Sequence, residues 1–475
     1  MSRARVVVLG AGPAGLGAAF QLARRRLAEV SVIERNPRVG GNAGSFELAG
    51  LPVDYGSHRL HPTCDPAVLR DIRALLGDDL LDRPRHGRIR LRGRWIHFPL
   101  KPLDLALRLP ADFSLGVAKD LARKMVRGKR PGEHEDTFAS VLEAGLGHTI
   151  CRDFYFPYAR KVWGLDPEHL SATQARRRVG TSSLGKMINK VLAAVPGLKP
   201  SGSGRFYYPL HGYGQISEAY CQAARAAGAS ILLNARVHAV ETDRNAVAAV
   251  QYERDGTLAT LPADQVWSTI PITVLARSLT PAPPPEYLRA ASGIDYRAMI
   301  LIYAVLEQPQ FSEYDAHYFP EPGIRITRLS EPKNYRGRQW RSDVTVLCAE
   351  LPCSPEDPEW SLSDEELGQL LRESLARAGI PVRAPVRQVV TRRLRQAYPI
   401  YTRGYEASFD LLDEWLSQVG GLLTFGRQGL FAHDNTHHAL YMAYSAVECL
   451  GANGAFDRGQ WQAYRRVFET HVVED

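Results

Sequence analysis

With 475 residues the chain has room for roughly two to four domains and a large core. An apolar share of 45% against 23% charged is that of a soluble globular protein and excludes a disordered chain; no apolar run is long enough for a spanning helix. The net charge of +8 sits mostly on scattered arginines, which suits a polyanionic ligand as well as an arginine-rich genome, and no nucleic-acid-binding motif accompanies it.

The N-terminal stretch carries the strongest signal. Val6 to Leu9 is an apolar run of the length and branching of a buried parallel strand. It leads into Gly10-Ala11-Gly12-Pro13-Ala14-Gly15, a GxGxxG turn that opens a helix from Leu16 to Arg26. Gly10 permits the tight turn, Gly12 lets the backbone approach a pyrophosphate, and Gly15 lets helix and strand pack closely. A second strand, Val30 to Ile33, ends at Glu34, where a carboxylate accepts the ribose hydroxyls of an ADP moiety. Arg35 and the pair Gly40-Gly41, followed by Asn42, complete an E-R-x4-G-G pattern of the glutathione-reductase type, in which a second loop runs along FAD. The expected cofactor contacts here are Gly10, Gly12, Pro13, Ala14, Gly15, Glu34, Arg35, Gly41 and Asn42.

Next comes a hairpin, Ser45 to Leu48 and Val53, turning at Ala49-Gly50. The loop after it holds His58 and His61, expected beside the flavin ring. Arg88 to Pro99 alternates basic with apolar residues and reads as a hairpin turning at Arg92-Gly93. Pro102 to Arg127 reads as basic helices, for which membrane contact is not the expectation. A further helix starts at Asp136-Thr137-Phe138 and is followed by the aromatic stretch Phe154 to Gly164. After a Gly/Ser linker at Gly202 to Gly204, a helix from Gln215 to Ala227 precedes a strand from Ile231 to Glu241 and a hairpin through Asp255-Gly256. Strands at Met299 to Leu306, Ile324 to Leu329, Val344 to Leu351 and Val386 to Leu394, with a helix capped by Ser363 and Glu366, read as an antiparallel substrate domain. A strand at Leu422 to Arg427 and a helix from His438 to Leu450 return to the cofactor.

The expected fold is α/β: a discontinuous Rossmann-like FAD-binding domain with a helical insertion and an antiparallel-sheet substrate domain. Residues 1–85, 205–275 and 418–475 are assigned to the FAD-binding domain, 100–165 to the helical domain, and 86–99, 166–204 and 276–417 to the sheet domain. Cys64, Cys151, Cys221, Cys348, Cys353 and Cys449 form no C-x-x-C pair and no zinc spacing, so they read as free thiols of a reducing cytosol with no metal site. The first strand begins within five residues of Met1, which makes a cytoplasmic location without a leader the expectation.

Several stretches are similar to flavin-dependent UDP-galactopyranose mutases. Phe156-Pro157-Tyr158-x-x-Lys161-Val162-Trp163-Gly164 followed by Arg178-Val179 resembles their PYxxKVW…RV segment. Gly323-Ile324-Arg325-Ile326-Thr327-Arg328-Leu329-Ser330 resembles their R-x-T-x-S strand, Tyr398-Pro399-Ile400-Tyr401 their YP strand, and Gly426-Arg427-Gln428-Gly429 their GR-x-G loop. His58-Arg59-Leu60-His61 resembles their H-x-x-H loop. The amine-oxidase and protoporphyrinogen-oxidase-like flavoproteins share the N-terminus and topology. Where redox members carry Gly-Asp at the last strand, this chain carries Gly426-Arg427, as the mutases do; it departs from them in having His433 in place of their diphosphate-binding Tyr.

The resemblance implies interconversion of the pyranose and furanose forms of a nucleoside-diphosphate sugar, with N5 of reduced FAD as nucleophile. It implies further cofactor contacts at His58, Val237, Gly426, Arg427, Asn435 and Thr436. His58, His61, Arg178, Arg325, Tyr398 and His433 are the catalytic candidates. Arg178 and Arg325 are the expected diphosphate grips, with Arg177 as the register alternative; Tyr398 and Tyr401 donate hydroxyls, and Tyr155 and Trp163 stack on the base. No second GxGxxG is present, so an external reductant, or NAD(P)H at the same pocket, supplies electrons. The rival readings are an FAD-dependent oxidoreductase of the amine-oxidase or protoporphyrinogen-oxidase type and a flavin-binding partner protein. The sequence leaves open which sugar and base are used and whether the chain is a homo-oligomer.

Overall fold

The structure is a computed structural model that describes residues 3–99, 108–127, 136–178, 204–337 and 342–473, with side chains from 125 to 127 left aside. Its centre is a five-stranded parallel sheet in the order Leu422–Thr424, Gln265–Ser268, Ala4–Leu9, Ala28–Ile33, Ser230–Leu232. The run Val6 to Leu9 is apolar throughout because both of its faces are covered. Val6 and Val8 pack into a cluster with the helices Pro13–Arg24, Gln215–Ala226 and Thr436–Glu448, while Val7 and Leu9 pack on the other side with Val240, Val250 and Val266.

The strand expected from Ile231 to Glu241 is two strands. Asn234 takes a positive φ of 53°, and the chain passes there from Ser230–Leu232 into Ala235–Asp243, which belongs to a four-stranded sheet. Glu34 sits at the crossing: its N–H donates to the Leu232 carbonyl at 2.9 Å and its carbonyl accepts from the Ala235 N–H at 2.8 Å. Apolar content runs through the turn, so periodicity does not reveal it.

A second large sheet has seven strands in the order Val386–Ile400, Asp295–Leu306, Thr345–Cys353, Arg328–Ser330, Ala316–Tyr318, Gly87–Leu91, Arg94–Phe98. All its pairings are antiparallel except Ala316–Tyr318 with Gly87–Leu91. Its strands Asp295–Leu306 and Thr345–Cys353 are buried on both faces, under the helix Asp364–Arg377 on one side and the hairpin Ser45–Leu48/Leu51–Asp54 on the other. The expected strand at Ile324 to Leu329 is shorter than its pattern: only Arg328–Ser330 pairs, and Ile324 and Ile326 serve as core plugs under that helix.

The helices Phe138–Leu146, Phe156–Trp163 and Ala172–Arg178 form a third cluster, into which Ile400 of the long strand inserts. The helix Ala111–Arg127 lies where basic helices are expected; residues 100–107, the linker residues Gly202 and Ser203, and Val179 fall outside the described residues. No helix among the described residues is long and apolar enough to cross a membrane.

Candidate functional site

A cavity of about 3540 Å³ runs between the parallel sheet and the seven-stranded sheet. That is several times the volume of a single small-ligand pocket, so it has room for a dinucleotide and a second molecule. At one end it is walled by Gly10, Gly12, Pro13, Ala14, Glu34 and Gly41, at the C-terminal edge of the parallel strands. Gly12 is the N-cap of Pro13–Arg24, with no side chain over the helix end, and a Cβ built on it would meet nothing within 4 Å. The open helix N-terminus therefore presents its free N–H groups and positive dipole end to the cavity. Gly15 acts in the opposite way. A Cβ there would interpenetrate the Gly10 carbonyl, so it sets the helix against the strand and does not line the cavity.

Glu34 is buried at 6% exposure; its carboxylate accepts from the Ala11 N–H at 2.9 Å and from the N–H and side-chain amide of Asn36 at 2.8 and 2.7 Å. It thus organises the ribose end as well as facing it. The Gly40 N–H donates to the Ala11 carbonyl at 2.8 Å, so the second glycine loop is locked beside the first. Arg35 is exposed on the cavity rim. Asn42 lines the cavity, but its amide donates to the Gln396 carbonyl at 3.1 Å. Val237 lines the same end, next to a bulge in its ladder. Arg427, Asn435 and Thr436 line the middle, Asn435 capping the helix Thr436–Glu448; Gly426 lies behind them, against Ala14. These features fit FAD: an uncapped helix end, a clamped double loop and a buried carboxylate at the ribose position.

Beyond this cradle the wall changes character. His58 lines the cavity, stacks on Tyr213 at 5.2 Å and shares a hydrogen bond with the Tyr55 carbonyl at 2.9 Å; burial pushes its pKa down, so the ring is neutral. His61 also lines it, bonded to Thr63. Tyr155, Trp163, Arg178 and Tyr398 come together on the opposite wall. Arg178 and Arg427 place their guanidinium carbons 5.1 and 5.4 Å from the centroid of one ring, that of Tyr398. Arg427 is held by the carbonyls of Ala397 at 2.8 Å and Asp434 at 3.1 Å. The Trp163 indole N–H is buried with no partner among the described residues.

Three expected substrate contacts and one catalytic candidate, His433, stand elsewhere. Arg325 is outside the cavity, half exposed and ion-paired with Glu359. Arg177 is turned away from it, towards the Tyr401 hydroxyl at 3.5 Å. Tyr401 is core: it is 1% exposed, stacks on Tyr405 at 4.3 Å and donates to the Phe431 carbonyl at 2.7 Å. His433 is 1% exposed behind the wall, bonded to the Gln174 amide at 3.0 Å, and burial with three nearby guanidiniums pushes its pKa well down. A positive φ of 48° at Phe431 turns the chain just before it, so spacing from Arg427 misjudged its direction.

The residues that line the cavity from the 323–330 segment are Thr327 and Arg328, of which Arg328 brings a charge. Glu350 aims it, accepting from its Nε at 2.9 Å and from the Ser57 N–H at 2.9 Å, and so links the histidine loop to the sheet. Arg59, paired with Asp315 at 3.3 Å, joins it. Twelve arginines line the described cavity against seven carboxylates. The only signal for Arg328 was that it follows Arg325 by one three-residue step in the same motif.

Asp434, His438 and His471 bring three ligand-type atoms within 4.8 Å of one another. The two imidazoles are stacked, 4.2 Å between centroids and 14° between planes. A metal lies in the plane of each imidazole it binds, so stacked rings do not share one, and the group reads as a hydrogen-bonded cluster.

The family profile described as flavin containing amine oxidoreductase matches residues 13–438. A Mycobacterium tuberculosis protein described as a flavin-containing monoamine oxidase is 27% identical over 64% of this chain and 65% of its own length, so the match spans just under two thirds of that relative. Protoporphyrinogen oxidase 2 of Arabidopsis thaliana is 26% identical over 36% of the chain and 35% of its own length. Among solved structures, a reduced UDP-galactopyranose mutase superposes with a TM-score of 0.80 over 99% of this chain and 100% of that one at 19% identity. A putrescine oxidase with bound putrescine gives 0.63 at 18% identity over 98% and 99%. These likenesses show the fold, and with the family they make the cofactor FAD.

Proposed function

The chain belongs to the flavin containing amine oxidoreductase family, and we propose that this FAD-dependent enzyme is a mutase that interconverts pyranose and furanose forms of a nucleoside-diphosphate sugar. The observation that carries this reading is the pair of guanidiniums, Arg178 and Arg427, flanking the one ring of Tyr398 on the cavity wall. Like charges gathered in a buried wall repel each other and stabilise an anion between them. A cationic amine would meet the same wall as repulsion.

Reduced FAD supplies a nucleophilic nitrogen when bound. The protein's part is to bind, orient and exclude water. Arg178 and Arg427 offer the phosphates charge-assisted pairs, and Arg328 is a further guanidinium on the cavity wall. Tyr155 and Trp163 offer faces for the base. His58 is neutral and held by Tyr55 and Tyr213, which suits it to accept or return a proton at a sugar hydroxyl. The superposition on a UDP-galactopyranose mutase supports this reading through the fold.

The second reading is an oxidoreductase, favoured by the monoamine-oxidase-like relatives. Titration of the purified yellow protein with UDP and, separately, benzylamine distinguishes them. Saturable UDP binding that perturbs the flavin spectrum supports the mutase; flavin bleaching by benzylamine with no response to UDP refutes it.

A further inference from the structure

We propose that the C-terminal segment Thr470–Val473 is a strap that holds Arg178 at the cavity, and that His471 is the positioning residue that fastens it. The proposal rests on the reading of Arg178 as an anion grip.

The helix Arg458–Phe468 anchors the strap, with Trp461 and Phe468 buried at 5% and 3% exposure. Beyond it the chain makes two ties in three residues. His471 Nδ1 bonds the Asp434 carboxylate at 3.0 Å, and its ring stacks on His438. The Val473 N–H then donates to the Arg177 carbonyl at 2.9 Å. Val472 and Val473 themselves line the cavity.

Each tie meets a guanidinium segment. Arg177 immediately precedes Arg178 and lies in the last turn of Ala172–Arg178, where carbonyls have no intrahelical partner. A helix of 7 residues does not hold its own direction in water, so its aim depends on such ties. On the other side, the backbone carbonyl of Asp434 accepts from Arg427 at 3.1 Å. The residue that receives His471 therefore also steadies the second guanidinium beside Tyr398. Asp434 is 2% exposed, and an unpartnered carboxylate at that depth would be costly, which makes the His471 bond a firm anchor.

The test compares three holoenzymes: wild type, His471→Leu, which removes the donor, and His471→Asn, whose amide can replace it. Two readouts are taken, the rate of tryptic cleavage after Arg176, Arg177 and Arg178 by mass spectrometry, and the Kd for UDP by calorimetry. His471→Leu is expected to raise both by about fivefold or more, the change set by one net hydrogen bond, with FAD content unchanged, and His471→Asn to restore both to within about twofold. Unchanged cleavage in His471→Leu, or equal impairment in His471→Asn, overturns the strap. A wild-type chain that ignores UDP overturns the substrate reading instead, and the cleavage ratio still decides the strap.

Discussion

Two glycines of one motif, Gly12 and Gly15, should fail in opposite ways when each gains a methyl group. Gly12 has φ −77° and ψ 179°, a conformation open to any L-residue, and its added Cβ meets nothing within 4 Å. Gly12→Ala should therefore leave the apoprotein as stable as wild type, within about 0.5 kcal/mol. Its methyl stands where the pyrophosphate must approach the helix end, so charge-assisted contacts worth about 1.5–3 kcal/mol are lost. That is roughly a 10- to 150-fold rise in the Kd for FAD. Gly15→Ala does the reverse. Its methyl would interpenetrate the Gly10 carbonyl oxygen and lie 3.2 Å from Val8 Cγ1, in a fully packed interface. Relief means moving helix from strand, an overpacking cost of about 1–3 kcal/mol or more that is present with or without cofactor. The assay is thermal unfolding of apoprotein beside FAD titration by flavin fluorescence. Equal loss of apoprotein stability in both variants, or an unchanged FAD affinity in Gly12→Ala, refutes the reasoning.

Arg178→Ala should weaken UDP binding roughly 10- to 150-fold by calorimetry, while Arg325→Ala, an exposed pair worth at most about 1 kcal/mol, should leave it unaltered. Tyr401→Phe removes a buried donor to the Phe431 carbonyl and should cost about 1–2 kcal/mol in urea unfolding without changing UDP affinity. His317 and His438 are pushed by burial from 6.5 to about 3 and about 4. Both are depressed histidines, so below pH 6.5 the unfolded chain binds protons that the folded one refuses; stability falls by about 1.4 kcal/mol per pH unit per group as pH drops from 6.5 towards those values. Unfolding followed from pH 7 to 4 should show this, with a shallower slope in His317→Gln; a flat profile contradicts it.

The cradle was legible because its residue types answer to the backbone alone. Gly10 answers to its own φ of 96° and Gly15 to the Gly10 carbonyl, both within the motif, and Glu34 stands at the end of the strand beside it. The same locality served the hairpin at Arg92-Gly93 and the capping box of Ser363 with Glu366. The substrate wall answers to partners far along the chain. Arg328 was read past in favour of Arg325 because Glu350, which aims it, comes 22 positions later. His433 and Tyr401 carried the right chemistry in the wrong direction: one turn at Phe431 and one stack on Tyr405 put them behind the wall. His471 gave no signal at all, since its partner Asp434 is 37 residues away and no motif joins them.

The most direct test of the central claim is product analysis under anaerobic conditions. The protein is reduced with dithionite, given UDP-galactopyranose or UDP-galactofuranose, and the mixture separated by liquid chromatography. The account predicts that either isomer yields the same equilibrium mixture, with the flavin still reduced at the end. No interconversion of either isomer by the fully reduced protein would contradict it.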